Sequence, residues 1–172
     1  MRRIKIDVSR CTGCAQCMLS CSFKKTGAFD LSQSCIRILQ WEDLCLSVPM
    51  VCQQCDDERC IWACPTDALT RHPVTGAILL DPTTCIRCEL CRIECTYQVI
   101  HMTEDGLPMT CDLCDGAPAC VAACYPGALT FVEAPDEQAE PFRPVVAVLN
   151  ARGRGEPVEP PEDLKLMGDL SA

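Results

Sequence analysis

Residues 85–95 read CIRCELCRIEC, four cysteines in the spacing C-x2-C-x2-C-x3-C. Residues 11–21 read CTGCAQCMLSC and repeat that spacing 74 positions earlier. A C-x2-C turn directs two thiolates at one centre, and a third cysteine three residues later adds a third corner. In ferredoxins with two clusters, the fourth cysteine of such a run ligates the other cluster. The spacing therefore predicts ligands of iron-sulfur clusters.

Two further cysteine groups alternate with these two runs. Residues 52–64 have the spacing C-x2-C-x4-C-x3-C, and residues 111–124 have C-x2-C-x5-C-x3-C, at an offset of 59 for the first pair and 60 for the second. The alternation indicates an internal duplication of a two-group unit. The grouped cysteines are Cys11, Cys14, Cys17, Cys21, Cys52, Cys55, Cys60, Cys64, Cys85, Cys88, Cys91, Cys95, Cys111, Cys114, Cys120 and Cys124.

Cysteine makes up 18 of 172 residues, a density typical of iron-sulfur proteins, zinc proteins or disulfide scaffolds. Zinc sites use isolated pairs, and triplets followed by a single cysteine do not divide into pairs. The basic pair Arg2-Arg3 is not followed by an apolar segment or a cleavage site. We therefore expect a cytoplasmic protein that begins at Met1, where disulfides are rare. Iron-sulfur chemistry is favoured over both alternatives.

Charge and motifs exclude several functions. A net charge of −9 disfavours nucleic acid, and no apolar window is long enough to span a membrane. Gly153-Arg154-Gly155 is too short for a dinucleotide fingerprint. We find no nucleophile-base pair and predict no catalytic residue. Electrons would have to enter from one protein partner and leave to another.

The motifs resemble the four-cluster electron-transfer subunits of molybdenum and tungsten oxidoreductases, a family typified by the iron-sulfur subunit of dimethyl sulfoxide reductase. The resemblance runs from about Arg3 to Val132. Ser22 and Thr96 depart from it, because the family has proline after the fourth cysteine, and we expect shifted potentials. The motifs that carry the resemblance are CTGC at 11–14, CPTDAL at 64–69, TCIRC at 84–88, CDLC at 111–114 and PGAL at 126–129.

The resemblance implies an α+β fold of two pseudo-symmetric bacterial-ferredoxin-like modules with little regular secondary structure. One module would combine residues 1–48 with 105–132, and the other would span residues 49–104. Each would bind two clusters. Residues 133–172 would form an extended C-terminal arm that docks on a partner or supports higher-order assembly.

The resemblance also implies four 4Fe-4S clusters, each held by four cysteines that we call a set. In the alternative, sequential arrangement, the first group would pair with the second and the third with the fourth. The implied sets are set 1 (Cys11, Cys14, Cys17, Cys124), set 2 (Cys21, Cys111, Cys114, Cys120), set 3 (Cys52, Cys55, Cys60, Cys95) and set 4 (Cys64, Cys85, Cys88, Cys91).

The implied function is a non-catalytic electron relay. Its catalytic partner would hold a tungsten or molybdenum pterin and oxidise an aldehyde, and the chain resembles the iron-sulfur subunit that partners tungsten aldehyde oxidoreductase. An acceptor subunit carrying flavin would complete the complex. The alternatives are a free polyferredoxin shuttle and the electron-transfer subunit of a hydrogenase or carbon monoxide dehydrogenase.

Apolar alternation predicts local structure between the groups. Residues 4–8 are expected to form a strand, residues 36–48 a hairpin around a bend at 41–43, and residues 69–80 a second hairpin. The segments after Cys17 and Cys91 are expected to be helices that carry the fourth cysteine of their group.

Several side chains outside the groups receive structural interpretations. Cys35 and Cys45 are expected to be buried structural thiols. His72 is expected in a surface loop, and His101 packed in the interior. Lys24 and Lys25 either favour a reduced cluster by their charge or are an ordinary solvated pair. Four aromatic residues near ligands are expected to exclude water from the clusters: Trp41, Trp62, Tyr97 and Tyr125.

Overall fold

The computed structural model describes residues 1–42 and 45–133. Its regular elements are short, and turns connect most of them. The α-helices are α1 (Gln16–Thr26), α2 (Arg59–Trp62), α3 (Leu90–Ile93) and α4 (Ala119–Ala122). The strands are β1 (Arg2–Ile6), β2 (Arg37–Trp41), β3 (Leu46–Met50), β4 (Leu69–Arg71), β5 (Ile78–Leu80), β6 (His101–Met102), β7 (Pro108–Met109) and β8 (Leu129–Glu133).

The described strands form four antiparallel pairs. The longest-range pair joins β1 to β8, from Arg2 opposite Glu133 to Ile6 opposite Leu129. Because the first cysteine group follows β1 and the fourth group precedes β8, this pair places the two groups at the same end of a ribbon. The other pairs are local: β2 with β3, β4 with β5 and β6 with β7.

Both predicted hairpins are confirmed. Strands β2 and β3 pair from Arg37 opposite Met50 to Trp41 opposite Leu46. Residue 43 of the predicted bend lies outside the described residues, as does residue 44. Strands β4 and β5 pair as expected, and Gly76 takes the positive φ of +73° that the connecting turn requires.

The N-terminal strand begins and ends two residues earlier than its alternation suggested. Strand β1 ends at Ile6, and Val8 opens a 3₁₀ turn over Val8–Arg10. The Asp7 carboxylate accepts the backbone N–H of Ser9 at 3.1 Å and so caps this turn. Local capping by an aspartate therefore overrides the apolar alternation.

The two predicted helices differ from each other. Helix α1 carries both Cys17 and Cys21, as expected, and Gly27 ends it in the left-handed region, donating its N–H to the Phe23 carbonyl at 2.8 Å. Helix α3 ends at Ile93, so the expectation that it carries Cys95 is wrong. The Cys95 carbonyl instead accepts the N–H of Gln98 at 3.0 Å, which turns the chain away.

The helices pack in two pairs, α1 on α4 and α2 on α3. Two hydrophobic clusters accompany them. The larger contains Ile4, Ile36, Val48 and Leu113, and the smaller contains Leu69, Ile78 and Ile100. The architecture is thus a small mixed fold with few helices and short antiparallel strands, and cysteines occupy much of both cores.

Candidate metal centres

The cysteines of set 1 come together at the junction between α1 and the end of β1. Burial raises the pKa of Cys17 to about 12, and the charges of Cys11, Cys124 and Cys14 add to that rise. Burial also raises the pKa of Cys11, which is near Cys124 and Cys14. The first and fourth groups therefore meet here.

The cysteines of set 2 come together between α1 and α4. Burial raises the pKa of Cys120, and the nearby charges of Cys111, Cys21 and Cys114 contribute. Burial raises the pKa of Cys111 to about 12, with Cys21 again a neighbour. Cys21, from the first group, therefore lies among three cysteines of the fourth group.

Set 3 surrounds a cavity of about 380 Å³. All four of its cysteines line the cavity, together with Tyr97, Val99 and Ile100. Burial raises the pKa of Cys60 to about 11, with Cys95 the nearest charge. The second group thus shares a largely apolar cavity with the last cysteine of the third group.

Set 4 surrounds a second cavity, of about 330 Å³. All four cysteines of set 4 line it, with Ala68, Leu69, Leu80 and Met102 among the apolar neighbours. Burial raises the pKa of Cys91 to about 11, and Cys88, Cys64 and Cys85 add to the rise. The third group therefore shares this cavity with Cys64 of the second.

Backbone N–H groups converge on the cysteine sulfurs. In the first C-x2-C turn of each cysteine group, the residue before the second cysteine has a positive φ. In three of these turns its N–H donates to the first cysteine, which opposes the effect of burial on the pKa of Cys11, Cys52 and Cys111. Turns of this kind form concave nests that bind anionic groups, including iron-sulfur clusters. The four residues are Gly13 (φ 70°), Gln54 (52°), Arg87 (58°) and Leu113 (56°).

This repeated turn is the feature that the sequence analysis missed. Only Gly13 carries the usual signal, because glycine adopts a positive φ without strain. Gln54, Arg87 and Leu113 accept a cost of about 1–2 kcal/mol each in this region. Four-fold repetition of a strained turn beside paired cysteines indicates a functional requirement for its geometry.

The donor chemistry fits 4Fe-4S clusters. Four thiols per set, oriented N–H groups and apolar walls are the environment in which thiolates hold such clusters. Burial raises the pKa of Cys17 and of Cys111 to about 12, so bound iron would have to displace a proton from each of these two thiols. Within residues 1–42 and 45–133, no three His, Cys, Asp or Glu side chains converge on a position for a single metal ion.

Charge interactions between three pairs of cysteines link one set to the next. Cys17 of set 1 lies near Cys120 of set 2, Cys111 of set 2 near Cys52 of set 3, and Cys91 of set 4 near Cys60 of set 3, in each case close enough for one thiolate to raise the pKa of the other beyond the effect of burial. These interactions connect the sets in the order 1, 2, 3 and 4.

Gln54 bridges sets 2 and 3. Its fully buried side chain donates to the Cys111 carbonyl at 2.7 Å and accepts the N–H of Ile78 at 2.9 Å. A buried amide with both ends bonded holds two chain segments in one register. Sequence reasoning had no signal for it, because Gln54 stands between two ligands as an ordinary spacer residue.

The two cysteines outside the groups have different environments. Cys35 is buried, as expected, and its backbone N–H donates to the Cys21 sulfur at 3.4 Å. Cys45 is exposed, so the expectation of a buried thiol is wrong there. Cys45 has a φ of +51° in the turn that enters β3, and that turn leaves Leu46 to fill the buried position.

Lys25 is a partly buried cation beside set 2. Its Nζ lies 2.7 Å from the Asp112 carboxylate and 3.4 Å from the Thr110 carbonyl oxygen. Burial would lower the pKa of Lys25, but Asp112 and the nearby Cys35 and Cys111 raise it overall. The interpretation of an ordinary solvated pair is therefore wrong for Lys25, which contacts a residue adjacent to a candidate ligand.

The histidines lie outside the cysteine sets, and the aromatic residues divide into two classes. His72 accepts the N–H groups of Val74 and Thr75 in a turn, and His101 is partly buried in β6. Tyr97 and Trp41 are buried, as exclusion of water requires. Trp62 and Tyr125 are 82% and 95% exposed, so that role is wrong for them. None of the described helices combines the length and apolarity needed to cross a membrane.

The family model for the 4Fe-4S dicluster domain matches residues 44–134, which contain the second, third and fourth cysteine groups. The chain is 40% identical over 133 residues to the beta subunit of NADH-dependent phenylglyoxylate dehydrogenase from Aromatoleum evansii, with 75% of this chain and 30% of that protein covered. The chain thus spans less than a third of that relative's length.

A second relative is the polyferredoxin-like subunit of aliphatic sulfonate oxidoreductase from Pyrococcus furiosus, 36% identical over 123 residues, with 71% of this chain and 70% of that protein covered. A chain of the active site complex BamBC of benzoyl coenzyme A reductase, as isolated, superposes with a TM-score of 0.47 at 24% identity, covering 91% of this chain and 92% of that one. On the match over residues 44–134, this chain belongs to the 4Fe-4S dicluster domain family.

Proposed function

We propose that this chain is the electron-transfer subunit of a cytoplasmic oxidoreductase complex and carries four 4Fe-4S clusters, one in each of sets 1 to 4. The convergence of four cysteines in each set supports the proposal. The cavities lined by sets 3 and 4 support it further, because in each the four thiols face one space together with apolar side chains.

The observation that carries the proposal is the continuous order of the sets. Each neighbouring pair of sets is joined by one pair of cysteines whose charges interact: Cys17 with Cys120, Cys111 with Cys52, and Cys60 with Cys91. Electron tunnelling slows steeply with distance, so centres that adjoin in series form one route. Cys14 of set 1 and Cys88 of set 4 are exposed, which supports electron entry and exit at the two ends.

The residues of the chain have three tasks in this role. Thiolates bind iron, backbone N–H groups such as that of Gly13 stabilise negative charge on sulfur, and apolar side chains such as Leu69 and Ile100 exclude water. A bound 4Fe-4S cluster would supply reversible one-electron transfer. No residue of the sets needs to contact a substrate.

The two-module organisation belongs to the same proposal. Residues 1–48 with 105–132 would hold sets 1 and 2, and residues 49–104 would hold sets 3 and 4, in a pseudo-symmetric arrangement. The β1–β8 pair supports this division, because it joins the two segments of the first module. The proposed docking arm, residues 133–172, lies outside the described residues apart from Glu133.

The proposed partner is a catalytic subunit with a tungsten or molybdenum pterin that oxidises an aldehyde, with a flavin subunit as electron acceptor. The family resemblance suggests this partner. The names of the two relatives refer to different substrates, phenylglyoxylate and an aliphatic sulfonate, which is what a relay that does not touch substrate would allow.

Anaerobic purification of the full chain with whatever remains bound tests the proposal. We expect about sixteen iron per chain and stoichiometric tungsten or molybdenum. Adding the partner's aldehyde should bleach the cluster absorbance within a turnover. Sixteen iron on a chain that purifies alone would favour a free shuttle, and zinc in place of iron would contradict the proposed function.

A further inference from the structure

A cavity on the surface beside sets 3 and 4 is lined by basic, amide and apolar side chains. It has a volume of about 730 Å³, and none of the described residues that line it is acidic. The chain as a whole carries a net charge of −9, so this cavity is opposite in charge to the molecule that contains it. The lining residues are Arg37, Arg92, Ile93, Gln98, Ile100 and His101.

Both arginines of the cavity are exposed and have N–H donors available. Arg37 lies on β2 and forms no ion pair with a carboxylate of residues 1–42 and 45–133. Arg92 pairs with Glu89 at 3.1 Å, and because a guanidinium carries five N–H donors it can bind a second carboxylate. Burial and the charge of Arg37 lower the pKa of His101, which leaves the arginines as the cationic groups of the cavity.

The cavity adjoins the set 4 end of the series of sets. The Ile100 side chain lines this cavity and also the cavity of set 3, so one side chain separates the two spaces. Arg92 and Ile93 belong to α3, the helix that carries Cys91 of set 4. A protein that occupies the cavity would therefore lie next to sets 3 and 4.

The lining favours a carboxylate on a protein surface over a small anion. Arginine binds carboxylates through two parallel N–H···O bonds. Ile93 is 67% exposed beside the arginines and offers apolar area that a small anion would leave uncovered. Protein interfaces combine arginine with apolar side chains in this way. The partner that fits is a protein with an Asp or Glu next to an apolar side chain.

We propose that the cavity between Arg37 and Arg92 is the docking site for an acidic surface of the partner subunit that exchanges electrons with set 4. The inference rests on the proposed function, because it needs a partner that exchanges electrons with this chain. The arginines would bind a carboxylate of that partner, and Ile93 would pack against the apolar side chain beside it. On a chain with a net charge of −9, this local complementarity would fix the one orientation in which an acidic surface can dock.

Charge reversal tests the docking site in the complete complex. The full chain would be tagged, purified anaerobically with its partner subunit and washed with increasing salt, and the partner that remains bound would be quantified. Arg37→Glu places a like charge opposite the partner's carboxylate, and we expect it to retain at least about tenfold less partner. Lys5→Glu is the matched control, because Lys5 is also exposed but lies on β1 outside the cavity.

We expect Lys5→Glu to retain as much partner as the unmodified chain. Equal retention in Arg37→Glu would overturn the proposal. An equal loss in Lys5→Glu and Arg37→Glu would also overturn it, because the effect would then come from the net charge and not from the cavity.

Cross-linking is a second test that does not depend on a disruptive substitution. Arg37→Lys keeps the positive charge and adds an amine, which a carbodiimide joins to a carboxylate that forms an ion pair with it. We expect mass spectrometry to find position 37 joined to an Asp or Glu of the partner subunit. A link to residues 134–172 of the same chain, or no link at position 37, would overturn the proposal.

The docking proposal and the function on which it rests fail in different ways. About sixteen iron per chain with a partner that Arg37→Glu does not weaken would overturn the docking site alone. Fewer iron, with a partner that Arg37→Glu releases, would contradict the four-cluster function and leave the docking site in place. An unmodified chain that purifies without a partner would overturn the docking site whatever its iron content.

Discussion

Cys21 and Cys95 occupy equivalent places in the sequence, 74 positions apart and at the end of identical spacings, but their surroundings differ. Cys21 lies inside the eleven-residue helix α1, with the Cys35 N–H and the Lys25 charge beside it. Cys95 follows the four-residue helix α3 and begins a turn that Gln98 closes. The same spacing therefore serves two different environments.

The difference shows that spacing selects the metal chemistry, whereas neighbouring residues adjust each centre. Cys64 and Cys124 resemble Cys95, because each follows a four-residue helix and accepts a turn hydrogen bond at its carbonyl, from Asp67 and Gly127. Cys21 is the exception among the four terminal cysteines of the groups. We expect its cluster to differ in potential from the other three.

Removing Cys21 or Cys95 should have the largest effect and tests whether the two cysteines belong to different clusters. We expect Cys21→Ala to lose about four iron and the same signal that Cys111→Ala loses. We expect Cys95→Ala to lose the signal that Cys52→Ala loses. Iron analysis and electron paramagnetic resonance of the four variants would check this. If Cys21→Ala and Cys52→Ala lose the same signal instead, the sequential pairing is correct.

Replacing Gln54 should have the next largest effect, a loss of stability, because Gln54 connects the region of Cys95 to that of Cys21. Gln54→Leu leaves the buried Cys111 carbonyl and the Ile78 N–H without their partner, at about 1–3 kcal/mol each. The midpoint of anaerobic denaturation by guanidinium, followed by cluster absorbance, should fall clearly.

Gln53→Leu is the matched control for Gln54. Gln53 is also buried, but it bonds only to the Val51 carbonyl, at 2.9 Å, within the same loop. We expect a smaller decrease of about 1 kcal/mol from its loss. Equal midpoints for the two variants would mean that Gln54 does not connect the two regions.

Removing the charge of Lys25 should have a smaller effect, and it tests whether the surroundings of Cys21 adjust its cluster separately from that of Cys95. Lys25→Met leaves the partly buried Asp112 carboxylate unpaired beside Cys111, which should cost about 1–2 kcal/mol of stability. Loss of the cation should also lower the potential of the set 2 cluster and leave that of set 3 unchanged. Lys24→Met is the control, because it removes the charge of the adjacent lysine and leaves the ion pair between Lys25 and Asp112 in place. A drop of both potentials together would contradict a local effect.

The exposed aromatic residues should have the smallest effect. Because Trp62 and Tyr125 are almost fully exposed, Trp62→Ala and Tyr125→Ala should leave stability within about 0.5 kcal/mol and cluster loss in air unchanged. Tyr97→Ala should accelerate that loss, since Tyr97 is buried against set 3. Faster bleaching in Tyr125→Ala would mean that an exposed ring still shields a cluster.

The sequence predicted the cysteine groups and both local hairpins, because ligand spacing and apolar alternation are visible over short windows. Helices α2 and α4 were not predicted, since four residues are too few to show a helical period. The turns at Gln54, Arg87 and Leu113 gave no signal either, because residues other than glycine hold the positive φ.

The candidate sites were predicted less completely than the hairpins. The spacing alone left the pairing of the groups open, because it depends on the β1–β8 pair across almost the whole described chain. The same is true of the Gln54 bridge and the Cys35 contact, which join residues distant in sequence. Long-range contacts of this kind leave no local pattern.

Crystallography of the anaerobically purified chain, with anomalous diffraction recorded at the iron edge, tests the central claim most directly. We predict four cubane clusters in the order of sets 1, 2, 3 and 4, with the Cys21 sulfur bonded to the iron-sulfur cluster that Cys111 also holds. A Cys21 sulfur bonded to the cluster of Cys52, Cys55 and Cys60, or fewer than four iron centres, would contradict the account.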